Sequence, residues 1–344
     1  MKRIIVGAVM GLFLAANLIA GGGSQAKQAA GNSKVRGKTI GHCYASSEAY
    51  YNYEINAVKW AVEVSGNTYA GRSAENNNVR EIQNVENLIS LGVDAILMHP
   101  TGSAQAQKAA QLANAAKIPL FLVDSTIDPG PGQAQGAVGP DFLVIGNAVG
   151  EYVVKNKVGY PGGRFVVLGG LFGQSAEKNE RESFMAAIAK DPTFKLISEI
   201  QYADWDRKKG EDLMRNYLVM HDHIDLVFAM NEEMAAGAAL SISEAGRQKE
   251  MVMVSVNASP VGEDMIRNGT LLATAKMSPL ELGILTTIKA LEYINGTPEP
   301  FETIQPTIIL TKENVDKDGA RWDDSAKVQS DYEGVLKQKG YWDK

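Results

Sequence analysis

The chain has a single cysteine, Cys43, among 344 residues. It can form no internal disulfide and no cysteine-based zinc site, so the apolar core must hold the fold. Histidine is almost as scarce, with four in all. His221 and His223 flank Asp222 where a solvated helix end is expected, which disfavours a metal site there. HExxH, CxxC and GxSxG spacings are missing, so the common zinc-protease, dithiol-redox and hydrolase signatures are absent. Gly37-Lys38-Thr39 imitates the end of a phosphate loop, but Asn32 stands where the loop needs glycine and a strand follows where a helix should open. Gly130-Pro131-Gly132 with Gly136 is wrongly spaced for a dinucleotide fingerprint and reads as a turn. There is no excess of positive charge either: 34 Lys and Arg stand against 40 Asp and Glu, a formal charge of -6. No basic stretch would track a phosphate backbone, so nucleic acid is not an expected partner. No metal, cofactor or catalytic residue is expected, and the chain does not read as an enzyme.

What is present describes a folded protein. Hydrophobic residues make up 45% and charged residues 22%, ordinary for globular chains, and the length fits two core-bearing units. Met1-Lys2-Arg3 precedes an uncharged apolar run, Ile4 to Ala20, that is short for a bilayer span and interrupted by Asn17. Residues 1–22 therefore read as a signal peptide, with the mature chain exported to a periplasmic or extracytoplasmic space. The run ends Leu18-Ile19-Ala20-Gly21-Gly22, and Gly22 stands where a lipoprotein box would carry its lipidated Cys, which leaves a lipid anchor open. Residues 23–37, small, polar and aperiodic, read as a flexible tether.

From Lys38 onward, short apolar runs alternate with amphipathic stretches: 39–45, a helix to about 65, TYAG, a helix over 78–91, VDAILMH, a helix over 103–116, and PLFLVD at 119–124. That is a βαβ grammar, and it predicts a parallel sheet covered by helices on both faces. In the helix at 78–91, Val79, Ile82, Val85 and Ile89 should form the buried face, with Arg80, Glu81, Gln83 and Glu86 outside. After a turn at 128–132 the same grammar restarts: helix 141–157, RFVVLGG, helix 176–190, strand KLISEIQ (195–201), helix 207–221, IDLVFAM, helix 232–245, MVMVSVN, helix 260–268, LLATAKM and helix 279–294. TIIL at 307–310 precedes a charged tail whose Trp322, Tyr332 and Trp342 suggest partial packing.

In open α/β sheets, ligands sit at the carboxyl ends of the strands. Those positions carry Glu48, Tyr50 and Tyr51; His99; Asp124; Asp141; Trp205; Asn231; and Asn257. Aromatic faces with carboxylates and amides around them suit a polyhydroxylated ligand, whose C–H faces stack on rings while its hydroxyls need donors and acceptors. Each residue also has a plainer reading: Tyr50 and Tyr51 as core, Asn231 and Asn257 as helix caps, Asp124 as a turn residue.

The segments 74–103, PLFLVDS (119–125), GQSAEKNERESF (173–184), ADWDRKKG (203–210), DLVFAMNEEMAAGA (225–238) and 253–279 resemble the periplasmic sugar-binding proteins of the ribose-binding type, the solute receptors of ABC importers. The resemblance implies a type I periplasmic binding protein: α/β, with two Rossmann-like lobes, each a parallel sheet flanked by helices, joined by a three-segment hinge near Gly139, Met277 and Gln305. The lobes would be 38–139 plus 278–305 and 140–277 plus 306–320, with 321–344 as a C-terminal tail. It further implies a monomer that binds a sugar or polyol and docks on an ABC permease, with a chemotaxis or signalling receptor as the alternative. A repressor or an enzyme on the same scaffold is less favoured. The implied cleft residues are Tyr50, Tyr51, Trp205, Asp124, Asp141, Asn231 and Asn257. Ser125 stands where the family has Arg, His99 where it has Asn, Asn257 where it has Asp, Met277 where it has Gln, and Glu180 or Arg181 at a further Arg position. These departures point away from ribose and toward Glu48 and His99 as specificity groups.

Overall fold

The computed structural model describes residues 4–5, 34–125, 134–157, 163–319 and 322–344. The expected signal peptide apart from Ile4–Ile5, most of the tether, and the turn at 128–132 lie outside the described residues. Residues 34–37, expected as tether, are docked. Val35 is buried and the Lys34 N–H donates to the Gly340 carbonyl, because Val35 completes an apolar cluster between two helices of the first lobe and the C-terminal segment.

The first sheet is built from β1 (Thr39–Tyr44), β2 (Thr68–Ser73), β3 (Ala95–His99), β4 (Leu120–Val123) and β5 (Gly136–Pro140), with helices α1 (Ala49–Val64), α2 (Asn78–Leu91) and α3 (Ser103–Ala115) between them. The second is built from β6 (Arg164–Gly169), the short edge pieces β7 (Lys195–Leu196) and β8 (Gln201–Tyr202), β9 (Leu226–Ala229), β10 (Val252–Asn257) and β11 (Ala273–Lys276). Its helices are α4 (Phe142–Lys155), α5 (Ser175–Ile188), α6 (Arg207–Met220), α7 (Glu232–Glu244) and α8 (Pro260–Asn268). Helix α9 (Pro279–Ile294), β12 (Glu302–Gln305), β13 (Ile309–Leu310), α10 (Val315–Asp318) and α11 (Ser325–Lys339) complete the chain.

Strand order is β2-β1-β3-β4-β5-β12 in the first sheet, with Ile4–Ile5 beyond β12, and β7-β6-β9-β10-β11-β13 in the second, with β8 also on β6. All ladders are parallel except β13 on β11. Both sheets are thus doubly wound with the same order, and each has its switch point beside its first strand. Strands β3 and β4 are buried along their whole length, as apolar strands covered on both faces must be.

The chain passes between the sheets three times. It leaves β5 for α4, whose Phe142, Ile145 and Val149 belong to the second core. It returns from β11 through Met277 to α9, whose Leu280, Ile284 and Leu291 pack on Ala57 and Ala61 of α1. It crosses again from β12 to β13. Helix α11 covers the α1–α9 face with Val328 and Leu336, so the tail packs on the first lobe. Trp322 is buried between the lobes, where its indole N–H donates to the Met277 carbonyl at 3.0 Å.

Two local expectations are corrected. On α2, Val79 is 68% exposed while Glu81 is fully buried. The Glu81 carboxylate accepts the Thr101 N–H at 2.8 Å and the Thr101 hydroxyl at 2.5 Å, so the helix turns a carboxylate inward to satisfy the loop after β3. The strand expected over 195–201 is broken into β7 and β8, both exposed at the sheet edge, where no outer strand holds the intervening residues in register.

Candidate functional site

The carboxyl ends of the two sheets face each other across a cleft with about 600 Å³ of space not filled by atoms, its mouth included. Glu48, Tyr50, Tyr51, His99 and Asp124 line it from the first lobe; Trp205, Asn231 and Asn257 line it from the second; and Met277 lies where the chain crosses between them. Asp141 is not among the lining residues. Its Oδ1 accepts the Leu143 and Val144 N–H groups as the cap of α4, a role that the residue's position before a helix already favours.

The strand ends are held in unusual backbone conformations. Asp124 has φ of 50°, Asp204 and Trp205 have φ of 51° and 64°, and Asn257 and Ala258 have φ of 120° and 59°. Non-glycine residues reach the left-handed region only at a cost, and the surroundings must impose it. For Ala258 the imposing group is visible. Buried Glu232, at the start of α7, accepts the Ala258 and Ser259 N–H groups at 2.6 and 2.8 Å and the Thr274 hydroxyl at 2.5 Å. Burial pushes its carboxyl up to about 7, against the pull of those hydrogen bonds. Asn231 serves two ends: its Oδ1 accepts the Met234 N–H as the α7 cap, and its Nδ2 donates to the Trp205 carbonyl at 3.0 Å. The cap reading of Asn231 is therefore correct and coexists with its place in the cleft. Asn257 caps no helix, since Ser259 caps α8.

Trp205 occupies a space that only glycine leaves open. A Cβ on Gly170 would fall 2.0 Å from the indole ring. The indole N–H donates to Gln174 Oε1 at 2.7 Å, and Gln174 Nε2 in turn donates to the Pro100 carbonyl of the first lobe at 3.3 Å. The lobes therefore touch through Gln174 at the edge of the cleft. Opposite, the Tyr50 and Tyr51 rings meet edge to face at 5.9 Å, and Tyr50 packs on Trp322 at 5.3 Å.

Behind the first-lobe wall runs a buried polar chain. The Tyr69 hydroxyl lies 3.2 Å from His42 Nδ1, His42 Nε2 lies 3.1 Å from Glu54 Oε1, and His99 Nδ1 lies 2.6 Å from Glu54 Oε2. His99 Nε2 then approaches Asp124 Oδ2 at 3.8 Å, and the Tyr50 hydroxyl donates to that oxygen at 2.8 Å. Burial alone would raise the Glu54 carboxyl, but the two imidazoles outweigh it and hold Glu54 well below its usual range. Burial alone would lower His99, but Glu54 and then Asp124 outweigh it and push the imidazole up. Asp124 is raised to about 6 because burial outweighs the help of His99 and the Tyr50 hydroxyl. Glu180 is pushed well above the carboxylate range by burial, then by Glu177 and Asp124. Glu48 is raised by burial and by Asp206.

Sequence reasoning missed Gln174 and Phe142 in the lining, and Glu54 and Trp322 behind it. Glu54 had a signal, since it sits three residues after Tyr51 on the apolar face of α1. Trp322 had none, being 64 or more residues from Ala258, Tyr53 and Tyr50, which it packs against. Of the two alternatives at the Arg position, Glu180 faces the cleft and Arg181 is paired with Glu177 at 2.5 Å. His223 lies 2.8 Å from Asp225 and 3.3 Å from Glu250. Among the described residues no group of three or more His, Cys, Asp or Glu is placed to hold a metal ion.

Two doubly wound lobes with strand ends closing on an aromatic, acid-lined cleft define a two-lobe solute-binding protein of the type I periplasmic fold. Residues 43–298 match the periplasmic binding protein domain family, and the chain belongs to it. The ribose import binding protein of Salmonella typhimurium is 35% identical over 210 residues, which cover 61% of this chain and 69% of that protein. The galactofuranose-binding protein of Escherichia coli is 28% identical over 292 residues, covering 81% and 91%. A solved ABC transporter solute-binding protein from Bacillus halodurans with bound myo-inositol superimposes with a TM-score of 0.76 at 26% identity, covering 82% of this chain and 97% of that one. Members of the family are binding proteins rather than enzymes.

Proposed function

We propose that this chain is an exported solute-binding protein that captures a sugar or polyol between its lobes and delivers it, unchanged, to the permease of an ABC importer. The observation that carries this reading is the division of the cleft. Tyr50, Tyr51, His99 and Asp124 come from one lobe and Trp205, Asn231 and Asn257 from the other, so neither lobe holds a complete site. A ligand that needs both lobes binds the closed arrangement more tightly and shifts the population toward it. The closed lobe faces are then what a permease can read. The lobe boundaries of the sequence analysis, with hinge segments near Gly139, Met277 and Gln305, belong to this proposal, as do removal of residues 1–22 on export and a monomeric state. The relatives named for ribose and galactofuranose, and the neighbour holding myo-inositol, support hydroxylated ligands as the class.

The test is a thermal-shift screen of monosaccharides and polyols on the purified protein. A true ligand at about 100 times its dissociation constant stabilises the fold by roughly 2.7 kcal/mol, and proton NMR should show it unaltered after prolonged incubation. A screen in which no sugar or polyol shifts the transition, or one in which the ligand is converted, overturns the reading.

A further inference from the structure

Resting on that reading, we infer that the ligand carries a positive charge where it meets Asp124 and Glu180: an aminated sugar or an aminocyclitol rather than a neutral sugar. Four carboxylates, Glu48, Asp124, Glu180 and Glu233, are among the described residues that line the cleft, and no Lys or Arg is. The one lining group able to become cationic is His99, and it is already engaged by Glu54 at 2.6 Å. Lys209, a cation that acts on Glu48, is held by Asp204 at 2.6 Å.

Two of these carboxylates are incomplete as they stand. Among the described residues, Asp124 Oδ1 and Glu180 Oε1 are buried oxygens without a hydrogen-bond partner, on residues only 8% and 2% exposed. Asp124 comes from the first lobe and Glu180 from the second, and they are close enough to act on each other electrostatically. Buried polar atoms are normally paired, and an unpaired buried charge is costly. A neutral hydroxyl would give each oxygen one donor and leave Glu180 in the uncharged form that its burial favours. An ammonium group supplies three donors and the missing charge together. The rings of Tyr50, Tyr51 and Trp205 around the same space add a second attraction, since aromatic faces bind cations. One carboxylate on each lobe also makes the charge a link between the lobes.

The experiment is calorimetry of the full chain at pH 7 with matched triplets: D-glucose, D-galactose and myo-inositol, each beside its amino-deoxy derivative and the N-acetylated form of that derivative. The inference expects at least one amine to bind ten or more times tighter than its hydroxyl parent, with N-acetylation cancelling the gain. In Glu180→Gln and in Asp124→Asn the ratio of amine to parent affinity should fall at least tenfold, and two variants guard against a folding defect in one. If parents bind as tightly as amines in every triplet, or the preference survives both variants, the inference is overturned while sugar binding stands. If no compound in any triplet binds, sugar binding itself fails and the inference with it.

Discussion

His99 Nδ1 lies 2.6 Å from Glu54 Oε2, and both side chains are shut away from water. The pair forms the back wall of the cleft and ties α1 to the end of β3. Breaking a buried pair by removing one partner typically costs about 3–5 kcal/mol. Glu54, held below its unfolded value of 4.5, contributes stability that is present above that value and lost as pH falls through its folded pKa. His99, raised above 6.5, contributes stability that is present below that value and lost as pH rises through its folded pKa. The melting-temperature gap between the natural chain and Glu54→Gln should therefore be widest between pH 4.5 and 6.5 and narrow on both sides. A gap that does not vary over pH 3 to 9 would show that the two side chains are not an ion pair.

Asp124 presents the opposite sign. Its carboxyl is raised from 3.8 to about 6, so it destabilises the empty protein increasingly as pH rises across that interval. Asp124→Asn should raise the stability of the ligand-free protein at pH 7 by up to about 3 kcal/mol relative to the natural chain, with little difference below pH 4. The same substitution should weaken ligand binding. A variant that binds normally would return Asp124 to a turn role.

Trp205 and Gly170 form a second testable pair. Trp205→Ala should cost on the order of 2–4 kcal/mol of binding energy, as a central aromatic anchor does, measured by calorimetry on the best ligand of the screen. Gly170→Ala should reproduce much of that loss with the indole intact, because its Cβ would occupy the ring's place. Full affinity in Gly170→Ala would mean the ring has another seat.

Closure is read by small-angle scattering. The radius of gyration should fall when saturating ligand is added to the empty protein, and Gln174→Ala, which removes the contact to Pro100, should raise the ligand dissociation rate. Saturation by calorimetry without a change in the scattering curve would assign the site to one lobe.

The alternation of apolar runs and amphipathic stretches determined both doubly wound sheets, because a crossover helix between parallel strands leaves its period in the local pattern. Nine residues at strand ends followed from the same pattern, and eight of them line one cleft; Met277, which only the family resemblance pointed to, lines it as well. Asp141 did not, since its position before α4 served a cap as well as a site. The tertiary structure alone decided the rest. It turned Glu81 of α2 inward to meet Thr101, brought Glu54 between two histidines from different strands, and seated Trp322 of the tail behind Tyr50. It also brought Glu180 of the second lobe into the cleft that Asp124 lines from the first. These are contacts between residues far apart in the chain, and their chemistry depends on burial and on charges that only packing brings together.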